Sequence, residues 1–328
     1  MAPLRRRSIL TAAAAAASVA AIGVPAQQRT RPVVALLSGG RQSDTVHVVE
    51  ALVAELRALG HVDGQTIELD ARYADYSTTQ GQRLAAEIAA RKPAVIVANG
   101  HGIDLAFRLS PPLPVVFIHS GNPVDAGFVD SLPRPGRHAT GISLMALDLI
   151  AKRMEFLTQL RPRLKRLALL ASPEHAGQQR ELAASRAGAA TFGLEVRYHE
   201  ARTPAELAAA LPKVAEDRPE AALLFSDALM FGQRESLAAF FLARGIPSAS
   251  GYSAFPDSGH VMSYGPERKA VWRRAAHYVD RIVKGARPSE LPVELPTVFE
   301  LVINRRSANA MNLVVPNQLV VLADRVID

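Results

Sequence analysis

The chain contains no cysteine in its 328 residues. No disulfide can therefore staple it, and no lipid can be attached through a thiol near its N-terminus. Aromatic residues are sparse at 5%, too few to supply the stacking platforms that single-stranded nucleic-acid binders use. No apolar run reaches the roughly 20 residues that a membrane-spanning helix needs. Three enzyme signatures are also missing. The loop after the first apolar strand lacks G-x-G-x-x-G, and the chain has no G-x-x-x-x-G-K-[ST] and no G-x-S-x-G. What is present is a globular balance, 48% hydrophobic and 21% charged, long enough for two lobes with separate cores.

The first 26 residues read as a leader. Arg5, Arg6 and Arg7 precede an alanine-rich stretch from Ala12 to Val24, and Val24-Pro25-Ala26 places small residues at a cleavage point. Arg6-Arg7-Ser8-Ile9-Leu10 fits a twin-arginine signal as well as a general secretory one. The formal charge is +7 from 38 basic and 31 acidic residues. Removing the three leader arginines leaves 35 basic against 31 acidic, or +4, spread along the chain; no nucleic-acid partner is expected. An exported chain without a lipid anchor is expected in the periplasm of a Gram-negative bacterium, as a monomer.

Pro114 to Ser143 organises the rest. Val115-Val116-Phe117-Ile118 is a buried-strand pattern that drops into His119-Ser120-Gly121-Asn122-Pro123, and a long connector follows before alternation resumes after Gly141. Before it lie strands at Pro32–Leu37, Ile67–Tyr73 and Ala94–Ala98. Helices between them place Val49, Leu52, Val53 and Leu56 on one face and start at about Thr78 behind the Ser77/Gln80 capping pair. After it, strands are expected at Arg166–Ala171, Leu194–His199, Ala221–Phe225, Ile246–Ser248, Val261–Tyr264 and Val298–Ile303. The intervening helices begin at Leu147, at Ser172-Pro173, at the Thr203-Pro204-Ala205-Glu206 box, after Asp227 and at Glu267. Strand–helix alternation predicts parallel sheets with right-handed crossovers.

Several stretches resemble one family in order along the chain. They are Ala54-Glu55-Leu56-Arg57-Ala58-Leu59-Gly60-His61-Val62-Asp63-Gly64-Gln65, Asn122-Pro123-Val124 through Thr140-Gly141, Met262-Ser263-Tyr264-Gly265-Pro266, Leu291-Pro292-Val293-Glu294 and Phe299-Glu300-Leu301-Val302-Ile303-Asn304. Together they are similar to the TrpX-like substrate-binding proteins of ABC transporters. The resemblance implies an α/β fold of two Rossmann-like parallel-sheet lobes joined by a hinge, the type I periplasmic-binding-protein fold. It implies lobe one over 27–142 completed by about 265–290, and lobe two over 143–264 completed by about 291–328. It also implies an importer component that closes on a small ligand and delivers it to an inner-membrane permease; the loop chemistry given below favours an amino acid or related small organic acid. An exported ligand sensor or an exported hydrolase is the alternative. The stretch Pro135-Gly136-Arg137-His138-Ala139-Thr140-Gly141 and the first loop, Ser38-Gly39-Gly40-Arg41, depart from the family pattern.

Ligands of open parallel sheets sit beyond the carboxyl ends of the strands. That rule nominates Ser38, Gly39, Gly40, Asn99, Gly100, His101, His119, Ser120 and Gly121 in the first half. In the second half it nominates Ser172, Ser226, Asp227, Tyr252 and Ser253. Glycine amides and helix N-termini suit a carboxylate, and Asp227 could meet an ammonium. Tyr252 and Phe255 are stacking candidates, and Trp272 is expected to pack in the core. His101 and His119 close two strands but lack a third ligand or H-E-x-x-H spacing, so no metal and no cofactor is expected.

Overall fold

The computed structural model describes residues 31–173 and 178–328. The expected signal peptide and its cleavage site lie outside the described residues.

The first lobe is built on β1 (Val33–Ser38), β2 (Glu68–Tyr73), β3 (Val95–Asn99), β4 (Val115–His119) and β5 (Ala139–Ser143), a parallel sheet in the order β2-β1-β3-β4-β5. Helices α1 (Gln42–Ala58), α2 (Thr78–Ala90) and α3 (Gly102–Phe107) connect its strands. Strands β1, β3 and β4 are continuous apolar runs because helices cover both faces of the sheet. The expected cap is present, with the Ser77 hydroxyl accepting the Gln80 amide at 3.2 Å.

The second lobe takes β6 (Arg166–Ala171), β7 (Glu195–Glu200), β8 (Ala221–Leu224), β9 (Ser248–Ser250), β10 (Met262–Pro266), β11 (Phe299–Asn304) and β12 (Arg325–Ile327), in the order β12-β11-β10-β9-β8-β6-β7. Around it lie α4 (Ile150–Leu160), α5 (Gln178–Thr191), α6 (Pro204–Glu216), α7 (Ala228–Gly232), α8 (Arg234–Leu242), α9 (Ala254–Asp257), α11 (Arg305–Ala310) and α12 (Asn317–Leu322). The remaining helix, α10 (Arg268–Val283), follows β10 but packs on the first lobe. Its Val271, Ala275, Val279 and Ile282 are buried with Val48, Leu52 and Leu56 of α1. The chain thus passes between lobes three times: at 144–149, at Glu267, and through 291–298.

Four sequence expectations change. Residues 139–143 form a fully buried strand rather than the end of a connector. Small and polar residues hide it, and Thr140 is satisfied by donating its hydroxyl to the Leu291 carbonyl at 2.6 Å. The short strand expected at Ile246–Ser248 lies at Ser248–Ser250. Its buried serines bond to His260 Nδ1 at 2.7 Å and the Leu224 carbonyl at 3.0 Å, so they behave as core residues. The helix expected from Asp227 to Arg244 is two, broken at Gln233. Strand β11 pairs antiparallel with β10, so the second sheet is mixed rather than parallel throughout.

The interlobe cleft as candidate ligand site

The carboxyl ends of both sheets face a cavity of about 450 Å³, within the size range of small-molecule sites. Lobe one contributes Gly39, Gly40, Asn99, Gly100, His101, His119 and Ser120 to its wall, and lobe two Ser172, Ser226, Asp227 and Tyr252. Those nominated residues are brought together. Ser38, Gly121 and Ser253 do not reach the wall. Ser38 is fully buried and accepts the Gly40 amide at 3.3 Å. The Gly121 carbonyl accepts the Ser143 hydroxyl at 3.0 Å, and Ser253 bonds to the Glu300 carboxyl, which burial holds above the usual carboxylate pKa.

The chemistry of several members differs from the sequence expectation. The amides of Gly39 and Gly40 are already spent, on the Asn99 carbonyl at 3.1 Å and on Ser38 Oγ. Glycine at 39 serves a different purpose: a Cβ there would lie 2.6 Å from His101 Nδ1, so its absence lets the imidazole pack against the loop. Desolvation holds the His101 pKa below the ordinary histidine value, which keeps the ring neutral at pH 7. Asp227 caps α7, one oxygen accepting the Met230 amide and the other the Ser172 amide, both at 2.8 Å. It ties two loops of lobe two together instead of standing open to an ammonium. The Ser172 amide goes to Asp227; the helix start expected at Ser172-Pro173 runs into 174–177, outside the described residues, and the described part of α5 begins at Gln178. Phe255 is fully buried and meets Phe231 and His260 edge-on, away from the wall. Trp272 packs in the core of lobe one, as its helical position suggested, and one part of it also faces the cavity.

Sequence reasoning missed Arg268, Tyr76 and Phe231. Arg268 opens α10 from lobe one and reaches across to lobe two, its guanidinium 5.2 Å from the Phe231 ring centroid and 5.4 Å from that of Tyr252. A cation in the first turn of a helix opposes the macrodipole. The signal that could have found it is this Arg268-Lys269 pair directly behind Glu267, whose carboxylate is spent capping the helix. Tyr76 donates its hydroxyl to Asp44 at 2.8 Å, and Asp44 in turn pairs with Arg234 of lobe two at 2.9 Å. Desolvation and the neighbouring carboxylate push the Tyr76 phenol well above its usual pKa. Asp125 of lobe one and Arg180 of lobe two form a second ion pair between the lobes. The lobes therefore meet through matched charges at two places.

The cavity is mechanically tied to the first crossover. The carbonyls of His119 and Ser120 accept the amides of Leu144 and Ala146 at 2.8 and 3.1 Å. Arg153, buried on α4, donates to the Tyr264 carbonyl at 2.8 Å and so links the 144–149 crossover region to β10. A ligand touching His119 or Ser120 thus pushes on residues whose backbones carry the hinge.

Residues 33–327 match the family model described as ABC transporter substrate binding protein. Among curated proteins, none matches the chain. Solved structures share the fold. A conserved domain protein from Vibrio cholerae is 20% identical, with a TM-score of 0.85 over 90% of this chain and 100% of that one. An ABC domain from Streptococcus pneumoniae in complex with L-Trp is 19% identical, with a TM-score of 0.83 over 91% and 100%. GanP, a glucose-galactose binding protein from Geobacillus stearothermophilus, is 14% identical, with a TM-score of 0.62 over 84% and 98%.

Proposed function

The chain belongs to the family of ABC transporter substrate binding proteins, and on that premise we propose that it is the periplasmic receptor of an importer. It closes its two lobes on an amino acid or related small organic acid and hands the loaded form to an inner-membrane permease. The observation that carries this reading is the cavity itself. It is about 450 Å³ in volume, is lined by both lobes, and holds the Arg268 guanidinium against two aromatic rings. A cavity made half by each lobe gives a ligand differential contacts in the closed and open states, which is the condition for a ligand to drive closure. The three crossovers at 144–149, 267 and 291–298 are the hinge. The L-Trp bound to the Streptococcus pneumoniae domain is consistent with a small carboxylate-bearing ligand in a cleft of this fold. Among the described residues no helix is long and apolar enough to cross a membrane, which fits a receptor that meets its permease from outside the bilayer.

The test is a thermal-shift screen of the purified chain against amino acids, organic acids, sugars and nucleosides. A ligand present at 100 times Kd stabilises the folded form by about 2.7 kcal/mol. At least one compound of the acid classes is expected to raise Tm by several degrees, with compaction in small-angle scattering. No stabiliser in any class would overturn the receptor reading.

A further inference from the structure

One arginine on the cavity wall lacks an acidic partner among the described residues. Asp44 is the one acid facing two arginines, Arg234 and Arg268, and it is paired with Arg234 at 2.9 Å and with the Tyr76 hydroxyl. Arg268 has no ion pair among the described residues, and its Nη1 is buried without a hydrogen-bond partner there. Leaving a guanidinium partly desolvated and unpaired is costly, and an anion supplied from outside repays that cost.

The acids on the wall are, by contrast, already engaged. Asp227 accepts two backbone amides, Asp75 pairs with Arg41 at 2.7 Å, and Asp104, in the first turn of α3, is not without a partner either. An ammonium entering this cleft would meet carboxylates that already have partners, with neutral acceptors such as Asn99 Oδ1 and Ser226 Oγ left unpartnered among the described residues. Those two suit a hydroxyl or a ring N–H. The apolar part of the wall, Ile118, Leu144, Leu229 and Trp272, suits a hydrocarbon or aromatic body.

We propose that Arg268 binds the carboxylate of the ligand, and that this ligand is an organic acid with an apolar or aromatic body and no cationic group. The inference rests on the receptor reading above and narrows it. A bidentate carboxylate neutralises the guanidinium while Phe231 and Tyr252 hold its plane.

Matched probes test it by calorimetric titration of the full chain. 3-Phenylpropanoate is paired with L-phenylalanine, and indole-3-propionate with L-tryptophan; each pair differs only in the α-ammonium. The deamino acids are expected to bind at least tenfold tighter than their amino acids, and the neutral 3-phenylpropanamide at least tenfold weaker than 3-phenylpropanoate. Arg268→Gln should cost the acids tenfold or more, with Arg268→Lys recovering part of the loss. An amino acid that binds as tightly as its deamino partner, or unchanged affinity in a folded Arg268→Gln protein, overturns the inference and leaves the receptor reading standing. If neither class binds at millimolar concentration the inference also falls. A sugar or nucleoside hit in the wider screen would then preserve the receptor reading, and no hit at all would remove it. Should Arg268→Gln fail to fold, the probe series on the unmodified chain decides the matter alone.

Discussion

Asp227 and His260 show how a buried polar residue can be mistaken for, or hidden behind, a functional one. Asp227 lies at a strand end in the cavity wall, yet its carboxylate holds the Ser172 and Met230 amides. Removing it strands two amide donors, one of them the cap of α7, each worth about 1 kcal/mol or more. Asp227→Ala is therefore expected to lose about 2–3 kcal/mol of stability by denaturant titration. An unchanged midpoint would return Asp227 to the role of a free ligand contact. His260 is fully buried between the Ser248 hydroxyl and the Arg234 carbonyl. The carbonyl can only accept, so Nε2 carries the proton, Nδ1 accepts from Ser248, and the ring is neutral. Burial lowers its pKa to about 4. Since the folded site refuses a proton that the unfolded chain accepts below about pH 6.5, this residue's contribution is fully present above that pH. It is lost as pH falls toward 4, by on the order of 3 kcal/mol. An NMR titration should show the His260 ring resonances unmoved above about pH 5; a midpoint near 6.5 would contradict the buried neutral ring.

At the scale of the element, β5 decides how lobe one closes. Gly141 has φ near +152°, and a Cβ there would lie 2.0 Å from the Phe117 carbonyl oxygen. β5 lies against β4 through this glycine, and the 291–298 crossover bonds along its other edge through the Glu294 amide to the Gly141 carbonyl and the Ser143 amide to the Glu294 carbonyl, both at 3.0 Å. Gly141→Ala must therefore move either the sheet or a hinge strand. The expected cost is about 3 kcal/mol or more, read as a large fall in the urea midpoint; a loss below about 1 kcal/mol would show that β4 and β5 can part without consequence. Helix α10 belongs to the same scale. It follows a lobe-two strand, is buried against α1 in lobe one, and so carries Arg268 to the cleft on a rigid element.

At the scale of the molecule, two ion pairs among the described residues bridge the lobes, Asp44–Arg234 and Asp125–Arg180. The first is nearly buried, with side-chain exposures of 7% and 17%, so losing one partner leaves an uncompensated charge rather than a solvated one. Asp44→Asn removes the carboxylate that joins lobe one to Arg234 and leaves that arginine only the exposed Glu235 of its own helix at 3.7 Å. The lobes are expected to open in the absence of ligand, increasing the radius of gyration in small-angle scattering relative to the unmodified chain. Identical scattering curves would show that the charge pair does not hold the lobes together.

Local physics made much of this legible in the sequence. The apolar runs of β1, β3 and β4, the caps at Ser77 and Thr203, and the amphipathic face of α10 are set by neighbours a few residues apart. They predicted two sheets with sites beyond the strand ends. Three things depended on residues distant in the chain and brought together by folding. β5 is a strand because the 291–298 crossover satisfies it. Asp227 is structural because Ser172 arrives from 55 positions away. Arg268 is a cleft cation because its helix crosses to the other lobe while Phe231 and Tyr252 come back to meet it. Sequence periodicity records which face of an element is apolar. The identity of the charges left unpaired in a cleft is a sum over both lobes, and only the tertiary structure performs that sum.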